Sequence, residues 1–72
     1  MNVHKWNIYF ENNGTQTLVG SASTYDDAVV IMNQKIKESG FKSYYTRVTK
    51  FSDTEFWIDY GSHTTFYWIK GE

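Results

Sequence analysis

Residues 53–71, DTEFWIDYGSHTTFYWIKG, carry six aromatic side chains in nineteen positions. An antiparallel hairpin can hide only one of its two faces beneath a single helix. Which rings are sealed and which look outward therefore sets both the core and the candidate surface. GSH reads as a short polar turn, and SDT just upstream as another, so strands are expected over roughly 43–51, 55–61 and 64–70, joined as a meander. Pairing Thr46, Val48 and Lys50 with Tyr60, Ile58 and Phe56 keeps an apolar set together. Pairing Ile58 with Phe66 and Phe56 with Trp68 extends that set, and this face is expected to take the helix. The pleat then turns Tyr45, Arg47, Thr49, Glu55, Trp57, Asp59, Thr65, Tyr67 and Ile69 to the opposite face. Trp57 and Tyr67 are expected there as cross-strand neighbours, with Tyr45 one strand away and Tyr9 further along.

Upstream, HKWNIYFE alternates, with Trp6, Ile8 and Phe10 on one side and Lys5, Asn7, Tyr9 and Glu11 on the other. That period of two marks a half-buried strand. NNG follows, and Asn and Gly tolerate the positive φ of a turn. A two-residue Asn13-Gly14 turn sets Trp6, Ile8 and Phe10 opposite Ser21, Val19 and Thr17. A three-residue loop with Gly14 as a bulge sets Ile8 opposite Leu18, Trp6 opposite Gly20 and Phe10 opposite Gln16. The second is preferred, because it lays the Trp6 indole over a bare glycine and gathers Leu18 and Ala22 onto the apolar face.

STYDDAVVIMNQKIKESG is the one helix. Thr24 or Ser23 caps its first N–H groups, and Asp26 and Asp27 suit the positive end of the dipole. Tyr25, Ala28, Val29, Met32 and Ile36 form its apolar stripe with Ile31 at the edge, while Val30 faces away. Gly40 is the stop, and Lys35 and Lys37 complement the carbonyl end. The whole chain, 1–72, is expected to be a single α+β domain of order β-β-α-β-β-β, one antiparallel sheet with a single helix packed across one face. Whether the first hairpin meets the meander through its first or second strand is left open.

Composition bounds function. With no cysteine and no proline, the core must come from packing of bulky groups. Seven basic against eight acidic residues argue against strong non-specific contact with phosphate backbones. The opening MNVHKWNIYF has no apolar run of signal-peptide length and no segment suits a membrane span, so a cytoplasmic location is expected. No cofactor or metal is expected: His4 and His63 lack ligand spacing to any carboxylate pair. Ser62 and His63 lie four residues or fewer from Asp59, but neighbours on an extended chain point apart, so a local turn is favoured over a triad. An enzyme is not expected.

The open face supports three readings. Aromatic cross-strand pairs stabilise a sheet by about 0.2–1 kcal/mol each, and Arg47 with Asp59 is then a solvated pair. Alternatively Trp57, Tyr67, Tyr45 and Arg47, with Asp59, Tyr9 and Ile69 at the margin, form a docking patch for another protein or for a second copy stacked face to face. The same rings could stack the bases of single-stranded nucleic acid, although only Arg47 is placed among them, while Lys35, Lys37 and Lys42 make a weak basic edge. The stretch SYYTRVTKFSDTEFWIDYGSHTTFYWIKG, through Tyr44-Tyr45-Thr46-Arg47, Trp57-Ile58-Asp59-Tyr60-Gly61-Ser62-His63 and Phe66-Tyr67, resembles the C-terminal half of small uncharacterised phage and prophage proteins of Gram-positive bacteria. The resemblance implies a cytoplasmic accessory protein that modulates a host or defence factor.

Overall fold

The computed structural model describes residues 3–40 and 46–72. Strands β1 (Trp6–Asn12) and β2 (Thr15–Ala22) form a hairpin, helix α1 (Tyr25–Glu38) follows, and β3 (Arg47–Ser52), β4 (Glu55–Asp59) and β5 (Thr65–Gly71) complete the chain. The five strands make one antiparallel sheet in the order β2-β1-β5-β4-β3. The two hairpin systems thus meet through β1 and β5. Backbone bonds extend that seam, with the N–H groups of His4 and Lys5 donating to the Glu72 carbonyl at 2.8 and 3.1 Å.

The helix forms where its sequence signals place it. Thr24 is the N-cap, its Oγ1 accepting the Asp27 N–H at 3.1 Å, with Asp26 and Asp27 in the first turn and Lys35 and Lys37 in the last. Gly40 takes a φ of +78° just beyond the end. Ala28, Met32 and Ile36 are buried against Ile8, Ile58, Tyr60, Tyr67 and Ile69, with Tyr25, Val29 and Ile31 packed around them and Val30 exposed. Trp6, Tyr25 and Phe56 close one end, with ring centroids 4.5 to 6.1 Å apart.

The first hairpin follows neither expected register along its whole length. Asn13 and Gly14, at φ 52° and 85°, make a two-residue turn, so Phe10 opposes Thr17 and Tyr9 opposes Leu18. A bulge then inserts Val19, after which Ile8 opposes Gly20 and Trp6 opposes Ala22. Ala22 joins the helix side as expected. Leu18 does not; it lies beside Tyr9 on the open face. The glycine beneath the Trp6 indole is Gly71, where a Cβ would meet Cη2 and Cζ3 at 3.1 Å, while Gly20 sits under Ile31.

In the meander, β3 and β4 pair as expected: Val48 opposes Ile58 and Lys50 opposes Phe56, with a bulge at Phe51. The start expected for this strand at 43–45 falls outside the described residues. Strand β5 is displaced by one residue. Ile58 opposes Tyr67 rather than Phe66, and Phe56 opposes Ile69 rather than Trp68. The connection is longer than the GSH turn: it runs over 60–64, with Gly61 at φ 101°. Asp59 Oδ1 accepts the Gly61 N–H at 2.9 Å. Ser62 Oγ accepts the Thr65 N–H at 3.2 Å and the Thr65 hydroxyl at 2.7 Å. A shift of one residue moves every side chain of a strand to the other face.

Candidate functional site: the open sheet face

The corrected register rewrites the candidate patch. Tyr67, 6% exposed, and Ile69, fully buried, belong to the core beneath α1. Trp57 and Tyr67 therefore lie on opposite faces. Phe66 and Trp68, expected inside, look outward instead. Tyr45 and Lys42 lie outside the described residues. Trp57, Asp59, Arg47 and Tyr9 are on the open face as expected, because their strands keep the expected alternation.

The ladders align one row of side chains across all five strands of this face: Leu18, Tyr9, Trp68, Trp57 and Thr49. No described element covers it. Phe51, beside its bulge, stacks on Trp68 with centroids 5.3 Å and planes 21° apart, and Trp57 leans on Phe66 at 4.8 Å. Leu18 and Phe51 remain 57% and 60% exposed. A polar framework fixes the rings. Trp68 Nε1 donates to Glu11 Oε1 at 2.7 Å. Lys70 Nζ donates to Gln16 Oε1 at 2.9 Å and lies 5.1 and 5.2 Å from the Tyr9 and Trp68 ring centres. The Tyr9 hydroxyl donates to Glu72 Oε1, which also accepts from Asn7 Nδ2 at 2.9 Å. That contact with Glu72 pushes the Tyr9 hydroxyl above its ordinary pKa, and the same bond, seconded by Asn7, holds the Glu72 carboxyl below its own.

Charge on this face is mixed. Lys5, Arg47 and Lys70 stand among Glu11, Glu55, Asp59 and Glu72, and Lys70 is already engaged by Gln16 and two rings. Arg47 and Asp59 are register partners, but the Asp59 carboxylate turns to the Gly61 N–H. The ion pair found among the described residues is Lys50–Asp53, 3.3 Å, at the turn between β3 and β4. Ser62 Oγ is occupied by Thr65 and accepts the Thr64 N–H at 3.4 Å, so it serves the turn. Among the described residues, grooves of about 380 to 460 Å³ flank the helix and the Trp6 end, and neither His63 nor Asp59 lines these.

Comparison with known proteins places no relative beside this chain: no family model matches it, and searches of curated proteins and of solved structures return no match. Among the described residues no helix is long and apolar enough to cross a membrane.

Sequence reasoning missed Phe66, Trp68, Phe51 and Leu18 as surface residues. One signal was present. Lys70 shares a face with Phe66 and Trp68, so placing those two rings under the helix also turns a lysine to the helix side, and an ionised group is costly to bury.

Proposed function

We propose that this chain is a non-catalytic binding module whose open sheet face docks on another protein, as a cytoplasmic accessory protein of phage type that modulates a host or defence factor. The uncovered row Leu18, Tyr9, Trp68, Trp57 carries the reading. Trp and Tyr dominate interface hot spots because they bury much area for little lost freedom. Here the Trp68 indole is already fixed by Glu11 and Phe51, which lowers the ordering cost on association. Polar groups rim the band, as Arg47 and Asp59 do at one end and Asn7 and Lys70 at the other.

Single-stranded nucleic acid is the alternative occupant, since rings on a sheet stack bases. The near balance of charge on this face, with Lys70 already engaged by Gln16 and two rings, weighs against it, because phosphate contacts need several free cations.

The test uses the wild type and a Trp57→Ser/Leu18→Ser variant as baits in bacterial lysate, with a fluorescent oligothymidylate as the nucleic-acid probe. A protein retained by the wild type, lost with the variant and little affected between about 50 and 200 mM salt supports protein docking. Oligothymidylate binding that collapses over that range transfers the face to the alternative. Identical retention by both baits refutes the open face as the docking surface.

A further inference from the structure

The sheet has two edges, and they are built differently. Edge strands invite pairing with another chain unless charges, proline or bulges blunt them. β3 is blunted: Arg47 and Lys50 lie along it, Lys50 is held by Asp53, and a bulge sits at Phe51. β2, TQTLVGSA, has no charged residue and no proline over eight positions. Its one bulge is at Val19, which leaves Thr15 to Leu18 regular.

The turn fixes which backbone groups are unused. A two-residue turn makes Asn12 and Thr15 a hydrogen-bonded pair, and alternation makes Phe10 and Thr17 the next. The N–H and C=O of Gln16 and Leu18 therefore point away from the sheet. Leu18 is also 57% exposed.

We infer that β2 pairs antiparallel with β2 of a second copy across a two-fold axis at Thr17. Gln16 of each copy then exchanges hydrogen bonds with Leu18 of the other. Thr17 meets Thr17 on the axis, a favourable cross-strand pair, and Thr15 lies opposite Val19. An edge free of charge opposes no like charges when paired with itself, which favours a second copy as occupant over a peptide of arbitrary sequence. Each Leu18 packs on the aliphatic stem of the other copy's Gln16. The axis is normal to the sheet, so both open faces look to the same side and the dimer presents two docking bands at once. Pairing through the edge goes beyond the docking reading and does not depend on it.

Two variants and two readouts test the pairing. Thr17→Lys sets lysine against lysine on the axis. Gln16→Pro removes an outward N–H without touching the β1–β2 ladder. Light scattering at millimolar protein is expected to give twice the 8.5 kDa chain mass for the wild type and the single mass for both variants, with helical circular dichroism retained. Amide exchange at Gln16 and Leu18 is expected to slow as wild-type concentration rises, with no such change at Val48, whose N–H points outward on the other edge. A wild-type monomer at millimolar concentration overturns the inference. So does a dimer that survives both folded variants, or concentration-independent exchange at Gln16 and Leu18. Loss of the dimer with lysate capture intact separates this edge from the docking face; loss of capture by Trp57→Ser with the dimer intact separates them the other way.

Discussion

Replacing Ile69 by alanine, and separately Phe66 by alanine, distinguishes the two registers open to β5. Ile69 is fully buried between Ile8, Phe56 and the helix. The substitution removes three carbons at about 0.8 kcal/mol each, so about 2.4 kcal/mol is lost before any cavity term. Neighbouring strands pin the site on both sides and limit collapse, which places the expected cost at about 3–4 kcal/mol within the range for such deletions. Phe66 is half-buried on the open face against Trp57. Its removal leaves space that water refills, so the cost is the ring contact and partial burial, about 1–2 kcal/mol. A domain of this size has about 3–5 kcal/mol in total. Urea unfolding followed by tryptophan fluorescence, with a slope near 1 kcal/mol/M, should show Ile69→Ala largely unfolded in water or nearly so. Phe66→Ala should keep a cooperative transition whose midpoint falls by about 1–2 M. A larger loss for Phe66→Ala than for Ile69→Ala would refute the register and return Ile69 to the surface.

Gly71→Ala places a methyl 3.1 Å from two atoms of the Trp6 ring and from Val3 Cγ1; with the indole confined by Tyr25 and Phe56, thermal unfolding should report about 1–3 kcal/mol lost. Thr24→Ala removes the acceptor of the Asp27 N–H and should lower stability by about 0.5–2 kcal/mol in the same assay. Glu72→Ala should bring the Tyr9 titration midpoint down toward the ordinary tyrosine value, read by ring chemical shifts, while Tyr25 and Tyr67 stay raised by burial. Because the folded-state pKa of Tyr9 is raised, the contribution of its contact with Glu72 is present below pH 10 and fades as pH rises through the folded value. Glu72, whose folded pKa is depressed, loses its share as pH falls below the ordinary carboxylate range. Midpoints in Glu72→Ala that match the wild type at both extremes would sink this coupling.

Local chemistry made most of the fold legible. Thr24, Asp26 and Asp27 announce the helix start, the stripe from Tyr25 to Ile36 announces its buried side, and the alternation of β1 and β4 sorts their faces. Connections were the weak point, because one residue decides a face. Asn13-Gly14 offers a two-residue turn in the sequence itself, but no pattern in TQTLVGSA marks the bulge at Val19. The five-residue connection before β5 is held by Asp59, Ser62 and Thr65 side chains. Their hydrogen bonds exist only once the chain has bent, whereas GSH alone reads as a shorter turn. Strand order was invisible for a related reason: β1 has partners on both sides, and periodicity reports burial of a face, never the identity of a lateral neighbour.

The seam between β1 and β5 also governs how fast this molecule can assemble. Each flanking hairpin closes locally, on the microsecond scale for such units, yet two strands alone are barely stable. The native sheet waits for Trp6 to find Gly71 and Asn12 to find Thr65, an encounter between segments far apart along the polymer, whose closure entropy must be met before any reward arrives. With no proline in the chain there is no slow isomerisation to mask that search. Refolding should therefore run as one exponential, timed by the meeting of the two distant strands.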